Sequence, residues 1–240
     1  MKIALLGDIG ANLPALEAVL NHAKSHGVTR FYNVGNSLGF DIFPNETVQR
    51  LQFENVVSIL GRFDQRVLKA KAKLDQLKTT SDPDQLIFLN WIYDNLSVAS
   101  LSYLNSLKQS SLLIVQKKRI LLTNQLPKLA NRTRKQLAKV TDLPAKPIAD
   151  IIICSQQQFP YIKKINDIRL INPGAVGYAF DTEIWACYTT LQLVCGLILV
   201  SQYRIKYDVN RRQTKSWPAT MSKLMTYTAY SEITATGRIN

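Results

Sequence analysis

The chain has 240 residues, 46% of them hydrophobic and only 20% charged, with no long low-complexity tract. That is enough apolar material for one core, with or without a small appendage, and it excludes an intrinsically disordered protein. The net charge of +13 suits anionic partners such as nucleic acid, an acidic protein face or an anionic membrane surface, and it suits general solubility equally well.

Lys2–Leu6 is a short apolar run ending in Gly7-Asp8 and reads as a buried strand. The polar break at Gly7-Asp8 argues against a signal peptide. Pro14 opens a helix with Leu13, Leu16, Val19 and Leu20 on one face, and Gly27 ends it. Phe31–Val34 is the next strand, ending in Gly35-Asn36. Asn45 is expected to cap a helix through Phe53. Val56–Leu60 is the third strand and ends in Gly61-Arg62-Phe63-Asp64. This alternation is the pattern of a parallel sheet with crossover helices.

Residues 65–108 read as mainly helical, with starts at Ser81-Asp82-Pro83 and Ser97. Strands follow at Ser111–Gln116, Arg119–Thr123, Ile151–Cys154, Ile162–Ile165 and Ile168–Ile171, with Asn166-Asp167 as a tight turn and a basic helix over 129–140. Trp185–Val200 is apolar but shorter than the ~20 residues of a membrane-spanning helix, and Thr189, Thr190 and Gln192 interrupt it. It reads as a hairpin of Ala186–Val194 and Leu197–Tyr207 turning at Cys195-Gly196. Residues 1–240 are expected to form a single domain, with 218–240 as a C-terminal extension. Cys154, Cys187 and Cys195 form no CxxC pair and sit in apolar runs, which fits buried thiols in a reducing cytoplasm.

The polar loops all fall at strand ends, where open α/β sheets build their sites. In order they read GDIGAN, GNSLG, GRFD, TNQLP, CSQQQFP and INPGAVG. With their flanks, this series resembles the motif ladder of the calcineurin-like metallophosphoesterases of the small bacterial phosphodiesterase type, roughly SDIHGNLPAL, GDxVGYGPxPN, GNHD, VHGSP, CGHTHxP and VNPGSVG. The likeness covers Met1 to about Asp208. It implies an α/β fold, a four-layer αββα sandwich of two mixed β-sheets flanked by helices.

The resemblance also implies a site for two divalent metals, such as manganese, that polarise a phosphate ester and activate water. Matched position by position, Asp8 remains as a ligand. Gly10 stands where a histidine ligand belongs, Asn36 at the bridging aspartate, and Arg62 at the ligand asparagine. Phe63 stands at the catalytic histidine, which Asp64 would have oriented. Asn124, Gln156 and Gln158 stand at three further histidines. Amide oxygens are weak ligands, and glycine and phenylalanine supply none. The expectation is therefore no metal cofactor and no catalytic residue, with Arg62 in the vacated metal volume paired to Asp8 or Asp64.

Three functions remain open on this reading. The first is a non-catalytic pseudo-phosphoesterase that binds a protein partner as a scaffold, as the retromer subunit of this fold does. The second is an anion or nucleotide binder using Arg62, Asn12, Asn36 and Asn124. The third is a residual phosphodiesterase with one metal on Asp8. His22 and His26, the only histidines, lie four apart on the first helix and are read as solvent-facing rather than as a metal site. Two basic stretches, Lys117, Lys118, Arg119, Lys128, Arg132, Arg134, Lys135 and Lys139, and Arg204, Lys206, Arg211, Arg212 and Lys215, form an anion-binding face if they converge. No RNA-reading motif accompanies them.

Overall fold

Side chains alternate across a strand, and the first strand shows what that alternation builds. In β1 (Lys2–Leu6), Ile3 and Leu5 face one way and Ala4 and Leu6 the other. The computed structural model describes residues 1–76, 83–124, 149–155, 159–165, 167–177, 185–194 and 197–214.

The elements follow the expected order. After β1 come α1 (Leu13–Ser25), β2 (Arg30–Asn33), α2 (Pro44–Phe53), β3 (Val57–Ser58) and α3 (Arg62–Ala70). A 3-10 segment, Lys71–Gln76, leads to α4 (Pro83–Asp94) and α5 (Val98–Ser106). Then follow β4 (Ser110–Val115), β5 (Lys118–Thr123), β6 (Ile151–Cys154), β7 (Tyr161–Ile165), β8 (Ile168–Asn172), β9 (Trp185–Val194) and β10 (Leu197–Lys206).

Two mixed sheets of five strands result, ordered β10-β9-β1-β2-β3 and β4-β5-β6-β8-β7. In the first, β1, β2 and β3 are parallel, as the sequence pattern requires, while β9 runs antiparallel to β1 with Ala4 opposite Thr190. Ile3 and Leu5 pack between the sheets against Ile120, Leu122, Ile151, Ile153 and Ile171. Ala4 and Leu6 pack under α1 against Leu16, Val19 and Leu20. A further cluster joins α3, α4 and α5 to Leu38 and Val48.

The Trp185–Val200 stretch is the expected hairpin, with Leu197 opposite Val194. Among the described residues no helix is long and apolar enough to cross a membrane. One cap is corrected. Pro44, not Asn45, starts α2, because its fixed φ is already helical at the first position, and Phe43 takes the cap position without a side-chain bond. That releases Asn45, whose Oδ1 accepts from Ser97 N at 2.9 Å and Ser100 Oγ at 2.8 Å and so ties α2 to α5. Ser97 caps α5 as expected. The helix expected over 129–140, Ser81, Asp82, Asn166, the Cys195-Gly196 turn and the extension 218–240 lie outside the described residues.

Candidate functional site

The loops that follow β1, β2, β3 and β8, with Asn124 after β5 and Ser155 after β6, meet at one rim. Asp8 N donates to Gly35 O, Gly10 N to Asn36 O, Ala11 N to Ser37 O, Val176 N to Gly7 O and Gly177 N to Asp8 O. Asp8 and Asn36 both take positive φ, 47° and 55°, a region where short polar side chains are tolerated. Gly61 is required by close approach, since a Cβ there would lie 2.0 Å from Asn36 N.

Asp8 lies at the centre. Asn36 Nδ2 donates to its Oδ1 at 2.7 Å, and Ser155 Oγ donates to its Oδ2 at 2.5 Å. Burial raises the Asp8 carboxyl above its ordinary value, while these two bonds and the charge of Arg62 act against that rise. Asn36 is committed on both sides, because its Oδ1 accepts from Phe63 N at 3.0 Å. Asn124 is buried, and its Nδ2 donates to Leu60 O at 2.6 Å.

Asp64 has no histidine to orient. It sits in the first turn of α3, fully buried, and accepts from Leu38 N and Gly61 N at 2.9 Å and from Ser37 N at 3.3 Å. It pins the β2 loop to the start of α3. Burial pushes it up to about 6 against the pull of those amides. Phe63 turns into the helical cluster, with its ring centroid 5.3 Å from Phe40 and 6.5 Å from Phe88.

Three expectations about these residues change. Arg62 is exposed and makes no ion pair with Asp8 or Asp64 among the described residues. Both carboxylates already have donors, and the exposed guanidinium acts on Asp8 only through its charge, with no hydrogen bond to it. Asn12 is committed within the chain rather than turned to a ligand: its Oδ1 caps α1 through Ala15 N, and its Nδ2 donates to Gly177 O and Tyr207 Oη. His22 is half-buried rather than solvent-facing, with Nδ1 2.8 Å from Tyr188 Oη. Gln156 and Gln158 lie outside the described residues, as do Lys128, Arg132, Arg134, Lys135, Lys139 and Lys215 of the basic stretches.

Ser155 was not singled out from the sequence, yet it completes the Asp8 cradle. A signal existed. The resembled ladder has serine before its aspartate and glycine after its cysteine, whereas this chain has Gly7 before Asp8 and Ser155 after Cys154. A Cβ on Gly7 would lie 2.9 Å from Ser155 Oγ, so Ser155 fills space that a side chain at position 7 would need.

The described donors do not fit a pair of divalent cations. The one carboxylate facing the rim centre has both oxygens bonded, Asn36 has both amide atoms bonded, Asn124 offers only a weak neutral amide oxygen, and Gly10 and Phe63 offer no ligand. Among the described residues no group of three or more His, Cys, Asp or Glu could hold a metal ion.

Comparison with known proteins adds ancestry. The calcineurin-like phosphoesterase superfamily domain profile matches residues 1–193. An uncharacterized protein of Methanocaldococcus jannaschii is 25% identical over 228 residues, 89% of this chain and 90% of that protein. The crystal structure of a hypothetical protein from Pyrococcus horikoshii superimposes with a TM-score of 0.70 at 19% identity, covering 93% of this chain and 97% of that one. A metallophosphoesterase from Sphaerobacter thermophilus gives 0.66 at 20% identity, covering 93% and 94%. These two likenesses establish the fold.

Proposed function

The chain belongs to the calcineurin-like phosphoesterase superfamily, matched over residues 1–193, and from that premise we propose that it is a non-catalytic member that serves as a binding or scaffold module for a protein partner. One observation carries this reading. Asp8, the single family ligand retained at the rim centre, has one carboxylate oxygen bonded by Asn36 and the other by Ser155. A vacated di-metal site would leave repelling or unsatisfied carboxylates. Here the remaining carboxylates have hydrogen-bond donors from the chain itself, so the rim is stable without cations. Location in the cytoplasm belongs to the same proposal, supported by the buried thiols Cys154 and Cys187.

The test is direct. Protein purified without chelators, then supplied with manganese, is assayed for bound metal and for hydrolysis of bis-p-nitrophenyl phosphate. Less than stoichiometric metal and background turnover are expected. Two equivalents of metal with matching turnover would overturn the reading, and one equivalent with turnover lost in Asp8→Ala would establish a residual phosphodiesterase instead.

A second reading rests on Arg62, whose exposed guanidinium stands at the start of α3 beside the rim. It is an anion or nucleotide site. Saturable binding of phosphate or a mononucleotide that disappears in Arg62→Ala would select it over the scaffold.

A further inference from the structure

β10 is the outermost strand of its sheet, and among the described residues no strand covers its outer edge. It pairs with β9 in unbroken register over Leu197–Lys206. Long edge strands are normally blunted by charge, proline or a bulge. From Leu197 to Tyr203, β10 has none of these, and Leu197 and Leu199 are 64% and 50% exposed. One outward main-chain group is taken, because Arg169 Nη1 of β8 donates to Ile198 O at 2.8 Å. By the alternation of an antiparallel ladder, Val200 and Gln202 present their N–H and C=O the same way. Neither has a hydrogen-bond partner on that side among the described residues.

The Arg169 bond also sets β10 across from β8 and from β7, the edge strand of the second sheet. Toward the gap, β10 turns Ile198 and Val200 against the inter-sheet cluster. Lys206 shares that face by alternation and lies over the Trp185 ring at 5.2 Å. β7 borders the gap with two exposed lysines, Lys163 and Lys164, the latter opposite Arg169. The carboxylates nearest in sequence, Asp167 and Asp208, lie beyond the strand ends, and Asp208 Oδ1 accepts from Asn210 N. The open edge is therefore apolar at its start and basic at its end.

We propose that β10 receives an extended segment of a protein partner as a sixth strand, apolar where it passes Leu197–Val200 and acidic where it passes Gln202–Lys206. This rests on the scaffold reading above and gives that scaffold a surface and a partner class. Outward main-chain donors and acceptors are matched by another main chain, and strand addition of this kind is a recurring mode of peptide recognition. Nucleic acid would leave Leu197 and Leu199 without apolar contacts. A second copy would bring a further net charge of +13 to an edge that is already basic.

The probe is a fluorescein-labelled octapeptide of four glutamates followed by four valines, titrated with the full chain and read by fluorescence anisotropy. Antiparallel pairing sets its glutamates beside Lys206. Saturable binding is expected, about 10-fold or more weaker in Lys206→Glu. N-methylating the peptide amides that face β10 keeps every side chain, removes the ladder donors, and should abolish binding. Gln202→Pro, at an exposed edge position, removes one outward N–H and should do the same. If that variant does not fold, the N-methylated peptide makes the same test on the wild type. Absence of saturable binding overturns the proposal, and so does equal binding of the N-methylated peptide, which would leave charge alone. A single-stranded oligonucleotide that binds in place of the peptide would overturn it too, as would a dimer in light scattering that Gln202→Pro dissociates. Metal content and turnover do not enter these readouts, so the non-catalytic reading stands or falls separately.

Discussion

Asn36 donates to Asp8 across 2.7 Å, Nδ2 to Oδ1, from the end of one parallel strand to the end of its neighbour. The bond joins Asp8, which the resemblance implies as a metal ligand, to the residue that stands where it implies a bridging aspartate. With an amide at 36, the contact is attraction without any cation. With a carboxylate there, it would be repulsion.

Replacing Asn36 therefore has two different outcomes. Asn36→Ala loses the bonds to Asp8 and to Phe63 N and should cost about 1–3 kcal/mol. Asn36→Asp keeps the acceptor for Phe63 N but sets two carboxylates against each other, so it should be less stable at pH 7 than at pH 5, where they share a proton. Manganese should raise the urea midpoint of Asn36→Asp and leave that of the wild type unchanged.

Asp64 gives the protein a pH dependence of definite sign. Burial moves it from 3.8 to about 6, so the folded state holds this proton more tightly than the unfolded chain does. Its contribution is fully present below the unfolded value and is lost as pH rises through the folded one. The loss is at most ~3 kcal/mol between about pH 4 and pH 7. Asp8 is shifted in the same direction. Urea midpoints of Asp64→Asn, compared with wild type at pH 4.5 and 7, should fall less with rising pH, whatever the variant's absolute stability.

Arg62 should be energetically silent in folding. It is exposed and makes no ion pair with Asp8, so Arg62→Ala should cost under about 0.5 kcal/mol. Its effect should add to that of Asp8→Ala within ~0.5 kcal/mol in a double-mutant cycle. A coupling well above that would mean the guanidinium reaches into the former metal volume after all.

Gly7 and Ser155 should be strongly coupled. Gly7→Ser puts a side chain 2.9 Å from Ser155 Oγ and should destabilise by about 1–3 kcal/mol. Adding Ser155→Gly restores the arrangement of the resembled ladder and should recover much of the loss, a coupling within the ~0.5–3 kcal/mol range of residues in contact. Thermal unfolding of the two single variants and the double variant measures it.

The strands, their order along the chain and the positions of the rim loops were legible because they follow from local pattern. Apolar runs ending in glycine and a polar residue mark buried parallel strands, and the β1, β2 and β3 stretches sit within a few residues of where they were expected. The residue types standing at the ligand positions were legible for the same reason, since Gly10, Asn36 and Phe63 carry their chemistry wherever they lie. The partners were not. Ser155 is 147 residues from the carboxylate it bonds, and Asn45 is 52 from Ser97. Arg62 looked like the natural counter-charge for Asp8 because both are ionic. The tertiary structure instead brought a neutral hydroxyl and a neutral amide to that carboxylate and left the arginine in water, where its hydration is kept. A sequence specifies which groups exist and which strand ends they occupy. Which groups meet depends on sheet order and on the space a missing side chain leaves, as Gly7 leaves it for Ser155, and only the folded chain sets those.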